Sequence, residues 1–261
     1  MSDYVVEAKT VQTSAIRTLV EALKCILVEM NFIFDKDGIR MVAMDNMKVV
    51  MVHLRLAADK FEKYEFNGAN RLVVGLNTDH LYRIVKTATN DDTLTLYVEK
   101  NNHNQLGILL ENSEKKQRTR YQLSLLDRDE PDIPLPHAEF GARIVMPSVD
   151  FQKICRDMLL LMAKTVEIRS ISETLTFSCK GQFATRSTVL GDSDSEFSIH
   201  KEKRDEIISG TFSLPHLTLF TKCTNLSSNM ELYMKNNWFL MIKYVVANLG
   251  DIKLCLMPCN A

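Results

Sequence analysis

Neither of the common glycine loops that cradle phosphate occurs in this sequence, nor a His-Glu-x-x-His pair, nor a nucleophile elbow. The best-known local signatures of nucleotide, metalloprotease and serine-hydrolase chemistry are therefore missing. The six histidines (His53, His80, His103, His137, His200 and His216) never recur at i+3 or i+4, so helical metal spacing is absent. No Cys-x-x-Cys pair occurs. Cys25, Cys155, Cys179, Cys223, Cys255 and Cys259 sit mostly inside apolar runs and read as reduced, buried thiols of an intracellular protein. No apolar run approaches the ~18–20 residues of a membrane span. The opening residues lack the basic-then-apolar layout of a secretory signal. Excess charge is missing too: the net charge is −1, so affinity for a polyanion must come from how charge is distributed. Tryptophan is limited to Trp238, which follows Asn236 and Asn237 and reads as a packing residue at a turn or sheet end.

What remains is an ordinary globular composition, 46% apolar and 25% charged. A chain of 261 residues holds one large domain or two mid-sized ones. An internal repeat decides for two. Leu81–Tyr97 lies over Leu217–Tyr233 without a gap, placing Leu81 on Leu217, Ile84 on Phe220, Lys86 on Lys222, Leu96 on Leu232 and Tyr97 on Tyr233. The offset, 222 − 86 = 136, also sets Phe32, Ile39 and Met41 on Ile168, Leu175 and Phe177, and Arg17 on Lys153. Between the halves runs Leu125–Pro136, where Pro131, Pro134 and Pro136 stand beside Asp127, Asp129, Glu130 and Asp132. Proline fixes φ and lacks an amide donor, so this stretch reads as an extended surface connector in which Ile133 and Leu135 seek something to dock on. The expected division is residues 1–124, a connector at 125–140, and residues 141–261.

Periodicity fills in the halves. A strand at Val5–Val11 precedes a helix over Ser14–Val28, with Ile16, Leu19, Val20, Leu23, Ile26 and Leu27 on one face and Arg17 and Lys24 on the other. Short strands follow at Asn31–Phe34, Arg40–Met44, Val49–Leu56 and Lys63–Phe66, with Asp37-Gly38 as a hairpin turn signal. After Leu72–Leu76, Thr78 is expected to cap a short helix to Ala88 that turns Arg83 and Lys86 outward. Strands at Thr93–Glu99, Leu106–Glu111 and Arg118–Leu125 close the first half. The second half repeats the plan. A strand at Arg143–Met146 leads to a helix capped by Ser148, running to about Met162 with Lys153 and Arg156 outward. Strands at Thr165–Arg169, Leu175–Cys179, Gln182–Leu190 and Glu206–Leu214 follow, with an acidic loop at Asp192–Glu196. Pro215 opens a fourth helix reaching Thr224. Met230–Met234, Leu240–Val246 and Ile252–Met257 end the chain. The fold class is α+β in duplicate, each half carrying two helices packed on antiparallel sheets.

The cations repeat with the helices: Arg17 and Lys24, Arg83 and Lys86, Lys153 and Arg156, then His216 and Lys222. On one helix, exposed lysines mean nothing. Four equivalent helices would gather these charges onto one surface. Lysine and arginine without interleaved aromatics suit phosphate contact, which is sequence-blind and salt-sensitive.

Several stretches carry a family resemblance over essentially the whole length. They are Val20–Lys24 (VEALK), Ala43-Met44-Asp45, Leu125–Pro136, Met146–Asp157 (MPS-x-x-F-x-x-ICRD), Phe220–Ser228 (FTK-x-T-x-LSS) and Leu256–Pro258 (L-x-P). In these the chain resembles the sliding clamps of the proliferating cell nuclear antigen type. The resemblance implies two similar clamp-type domains per chain, a homotrimeric ring with helices lining the hole, and duplex DNA threaded through it without sequence readout. It implies no catalysis and no cofactor. Carried over by position, the DNA-facing residues are Lys24, Arg83, Lys86, Arg156 and Lys222, with Arg17 and Lys153 as helpers. The subunit joint would pair the edge strand with Arg118, Arg120 and Tyr121 against the neighbour's edge near Phe183 and Thr185. A groove beside the connector would receive short docking motifs of DNA polymerase, flap endonuclease and DNA ligase, with a clamp loader opening the ring. Its matching residues are Met44, Val49, Met51, Ile133, Leu135, Phe140, Cys255, Met257 and Pro258. The implied location is the nucleus, or the replication site of a large DNA virus.

The chain departs from the family pattern in places. Cys255 stands where relatives present an aromatic, Ser172 where they carry a modified lysine, Pro215 replaces a basic residue, and Leu160 adds an apolar side chain at the third helix. Two other readings stay open. One is a monomeric or heteromeric processivity factor holding DNA by one basic face. The other is a metal-dependent nuclease using the connector carboxylates.

Overall fold

The computed structural model describes residues 3–127, 139–191 and 197–259. Ile133, Leu135, the carboxylates Asp129, Glu130 and Asp132, and the expected loop at Asp192–Glu196 lie outside the described residues. The chain divides into two compact units: Met1–Asn46 with Val52–Ile133 and Val245–Ile252, and Met47–Met51 with Pro134–Tyr244 and Lys253–Ala261.

In chain order the first eleven elements are β1 (Tyr4–Thr10), α1 (Thr13–Ile26), β2 (Glu29–Asp35), β3 (Gly38–Met44), β4 (Val50–Ala57), β5 (Lys63–Phe66), β6 (Leu72–Asn77), α2 (Thr78–Val85), β7 (Thr93–Glu99), β8 (Asn102–Asn112) and β9 (Gln117–Ser124). Then come β10 (Ala142–Pro147), α3 (Ser148–Leu159), β11 (Thr165–Ile171), β12 (Thr174–Lys180), β13 (Thr185–Gly191), β14 (Ser198–Lys201), β15 (Ile208–Ser213), α4 (Leu214–Phe220), β16 (Asn229–Met234), β17 (Leu240–Val246) and β18 (Gly250–Leu256).

The repeat offset maps one set onto the other. Adding 136 to the limits of β2, β3 and β6 gives 165–171, 174–180 and 208–213, the limits of β11, β12 and β15. Strand pairing follows suit and is antiparallel throughout. In the first unit β5-β1-β7-β8-β9 form one sheet and β4-β3-β2-β6 run side by side in another. In the second, β14-β10-β16-β17 pair in that order, and β13-β12-β11-β15 form a separate four-stranded sheet.

Helix burial explains why each helix forms where it does. On α1 Ile16, Leu19, Val20 and Leu23 are buried at i, i+3, i+4 and i+7, and α1 packs against α2 through a face that also buries Leu81 and Val85. Each such side chain stabilises the fold by about 1.5–3 kcal/mol relative to exposure. In the second unit α3 buries Phe151, Ile154, Cys155 and Met158, and the Phe151 ring lies 6.2 Å from that of Phe177 on β12.

Helix α1 spans Thr13–Ile26 and not the expected Ser14–Val28, α2 ends at Val85 short of Ala88, and four further differences have a local cause. The cap of α2 is Asn77, whose Oδ1 accepts from the His80 amide at 3.0 Å; Thr78 instead turns its hydroxyl toward the carbonyl oxygens of Leu27 and Val28. Ser148 is the first residue of α3 and caps nothing: Pro147 stands at the cap, and the Ser148 hydroxyl is buried. The same helix stops at Leu159, and the turn that follows it carries Met162 at φ +59°, a left-handed backbone that cannot resume the helix. Finally, α4 ends at Phe220 and tightens into a 3-10 turn over Thr221–Leu226. There Thr221 and Thr224 bond back to the carbonyls three residues earlier, at 2.7 Å each, a reach that suits the tighter winding.

The two equivalent hairpins close differently. In β2–β3 the turn residues are Lys36 and Asp37, not the expected Asp37-Gly38, and the positive φ falls on Gly38 at +135° as β3 begins; in β11–β12 it falls on Ser172 at +47°. A Cβ on Gly38 would sit 2.0 Å from the Leu56 carbonyl oxygen. Gly38→Ala should therefore lower stability by more than the ~1–3 kcal/mol of backbone strain alone, read as a drop in urea midpoint with an unchanged slope.

Candidate nucleic-acid interface

Amphipathic burial sends the polar residues of α1 and α2 outward on the first unit, but the four cations there are held in different ways. Arg17 donates to the Ala88 carbonyl and to Asn90 Oδ1, both at 2.8 Å, so its guanidinium ties α1 to the turn after α2. Arg83 has a side chain 76% exposed and pairs with Asp79 one turn back at 2.7 Å. The Lys24 ammonium stands 3.7 Å from the centroid of the Tyr82 ring, and that of Lys86 stands 5.9 Å from the same ring. Sequence reasoning missed Tyr82. It lies in the helical repeat between Arg83 and Leu81, and only the packing of α1 on α2 brings Lys24 over it.

On the second unit Lys153 and Arg156 are exposed on α3, and Lys222 is exposed on the 3-10 turn that continues α4. Arg156 Nε is 3.8 Å from Asp157, whose other oxygen takes Arg186 of β13 at 3.1 Å. His216 places Nδ1 2.7 Å from Ser213 Oγ, and Leu160 is exposed just beyond α3.

The two strands expected at a subunit joint each lie at the end of a sheet within their own unit: β9 beyond β8, and β13 beyond β12. An end strand presents unpaired amides and carbonyls that can template another strand. On β9 Arg118 binds Glu111 of β8 through two nitrogens at 2.8 and 2.6 Å, Tyr121 shares a 3.1 Å hydrogen bond with Thr87, and Arg120 lies 6.0 Å from the Tyr97 ring. Thr185 opens β13 and is exposed; Phe183 precedes the strand, in the turn after β12, and is 72% exposed. The start of the connector is strapped to the first unit, where the Leu126 amide bonds the Gly75 carbonyl at 2.9 Å.

Of the expected groove residues, Met44 belongs to the first unit and is exposed. Val49, Met51, Phe140, Cys255, Met257 and Pro258 belong to the second. There the Met257 amide bonds the Val49 carbonyl at 3.0 Å, leaving the Met257 side chain exposed. Phe140 packs its ring 5.5 Å from Tyr233 and 5.7 Å from Phe239. Cys255 is buried, and burial pushes its thiol up to about 12, so it contributes apolar surface and not a nucleophile. Among the described residues no cluster of metal-ligating side chains forms, and no helix is long and apolar enough to cross a membrane.

Residues 5–132 match the proliferating cell nuclear antigen, N-terminal domain, and residues 134–259 match its C-terminal domain. The chain is 32% identical over 256 residues to the probable DNA polymerase sliding clamp 1 of Paramecium bursaria Chlorella virus 1, covering 96% of this chain and 95% of that one. It is 30% identical over 255 residues to the proliferating cell nuclear antigen of Chaetomium thermophilum, covering 97% of each.

The Arg118 hydrogen bond holds the Glu111 carboxyl below its ordinary value, burial opposing and Lys9 at 3.5 Å adding to it. A carboxylate lowered in this way stabilises the fold fully above its unfolded pKa, and that contribution is lost as pH falls through the lower folded value. Glu111→Gln should thus be less stable than the parent near neutrality and lose less on descent below about pH 4, measured as urea midpoints along the series.

Proposed function

The chain belongs to the proliferating cell nuclear antigen family, and we propose on that premise that it is a DNA sliding clamp that keeps a polymerase on its template. In this reading three copies close into a ring through β9 of one and β13 of the next. The helices α1 to α4 face the hole, and duplex DNA passes through it without sequence readout. The ring is a scaffold without catalysis. It is opened by a clamp loader and recruits DNA polymerase, flap endonuclease and DNA ligase through the groove residues Met44, Val49, Met51, Ile133, Leu135, Phe140, Cys255, Met257 and Pro258. It acts where DNA is replicated, in a nucleus or at the replication site of a large DNA virus.

The observation that carries the reading is the duplicated helix pair. Each unit buries one helical face and carries cations on the other: half-buried Lys24 with exposed Arg83 and Lys86 in one, exposed Lys153, Arg156 and Lys222 in its repeat. Phosphate contact by lysine and arginine is indifferent to sequence, which a sliding protein requires. The end strands support closure, since a β9–β13 pairing would use backbone groups that each sheet otherwise leaves open.

Light scattering after size exclusion at micromolar concentration should give three times the chain mass of 29.8 kDa; a monomer would favour the non-ring processivity factor. Lys24→Glu, Arg83→Glu and Lys222→Glu combined should impair processive synthesis while lowering the melting temperature by only a few degrees. Solvent-facing substitutions such as those at Arg83 and Lys222 usually cost within ~0.5 kcal/mol each, and Lys24→Glu also loses a cation–π contact of about 0.5–1 kcal/mol.

A further inference from the structure

The contact that the helix repeat does not require is Tyr82. The ammonium of Lys24 on α1 stands 3.7 Å from its ring centroid, and that of Lys86, the residue capping the C-terminus of α2, stands 5.9 Å away. Two like charges converge on one aromatic ring. Among the described residues neither lysine has a carboxylate within ion-pair distance, whereas Arg83 beside them is paired with Asp79 and Arg17 is bonded to Ala88 and Asn90. Lys24 and Lys86 are therefore the cations of this face whose charge is least offset.

A ring and a carboxylate hold a lysine in different ways. A carboxylate orients the ammonium and cancels its charge. An aromatic face attracts the ammonium through its quadrupole, leaves the full positive charge, and leaves the remaining N–H donors free. A lysine so held has already lost much of the rotamer freedom that phosphate binding would otherwise remove. In the repeat, position 218 is occupied by Thr218, which bonds back to the Leu214 carbonyl at 2.9 Å. Among the described residues no ring stands over Lys153, Arg156 or Lys222.

We propose that Tyr82 is a positioning residue that pre-orients Lys24 and Lys86 toward adjacent phosphates of the duplex, making α1–α2 the tighter of the two DNA contacts in each chain. The inference rests on the reading of these helices as DNA-facing. It assigns Tyr82 no contact with bases and no sequence preference.

The test is fluorescence anisotropy of a short labelled duplex of mixed sequence, titrated with the full-length protein over a series of salt concentrations. Tyr82→Ser should weaken binding about two- to fivefold, the range of one exposed cation–π contact. The slope of log affinity against log salt should stay at the parent value, because no cation is lost. Tyr82→Phe keeps the ring and should restore parental binding. Lys24→Ala should weaken binding and also flatten the slope by about 0.9, the loss of one phosphate contact. Parental affinity in Tyr82→Ser, with Lys24→Ala still weakened, would overturn the role of Tyr82 and leave the DNA face standing. Equal weakening in Tyr82→Phe and Tyr82→Ser would overturn it too, since the hydroxyl and not the ring would then matter. If Lys24→Ala and the charge-reversed triple variant both bind as the parent does, the DNA-face reading itself falls, and Tyr82 with it. Melting curves of each variant separate these outcomes from misfolding, and Tyr82→Phe serves as the folded reference.

Discussion

Each unit depends on covering one apolar face of antiparallel sheet with a pair of short helices. The strands cannot leave that face exposed: β2 turns Met30, Phe32 and Phe34 to one side, all buried, and β7 does the same with Leu94, Leu96 and Val98. A helix meets that demand with one face only, so its other face must be polar. Placement of the cations is thus a by-product of burial. Leu19, Leu23, Leu81 and Val85 hold α1 and α2 in the core, and Lys24, Arg83 and Lys86 follow on the far side. The same logic runs through Phe151, Ile154 and Met158 of α3, with Lys153 and Arg156 carried outward.

Much of this architecture was legible because repetition is visible without any knowledge of contacts. The offset of 136 taken from Lys86 and Lys222 returns the limits of three strands to the residue. Helix ends were less legible, since they are set by which group reaches an orphan amide or carbonyl. Asn77 and Thr78 are both plausible caps by type, and only the position of the Leu27–Val28 carbonyls diverts Thr78. Likewise nothing in the local pattern announces that Met162 turns left-handed, or that a run of threonines after Phe220 tightens the last turn. The strand β14 went unrecognised: Ser198–Lys201 carries a single apolar side chain, Ile199, so no alternation registers, whereas the equally short β5 alternates Tyr64 and Phe66 with charged residues.

Of the candidate interface, the cations were readable one by one and their circumstances were not. Arg17 and Lys24 share a face of α1, yet one is fastened to backbone and the other stands free over a ring. That difference arises between elements far apart in sequence. Tyr82 shows it most clearly, because a tyrosine on a short amphipathic helix is unremarkable until α1 delivers Lys24 to it. Phe183 was placed near a strand edge and lies in the turn just before it, where three small or polar neighbours (Gly181, Gln182 and Ala184) give periodicity nothing to work on.

The unlike closures of the two matching hairpins have a consequence for how the chain can be interrogated. Gly38 and Ser172 carry the positive φ of matching turns but stand 134 residues apart, and under the shared strand register their partners at the repeat offset are Thr174 and Lys36. Every such pair of positions is an experiment with its control built into the same polypeptide. Expression level, buffer and purity are shared by construction, so a difference between partners 136 residues apart reports on local physics alone.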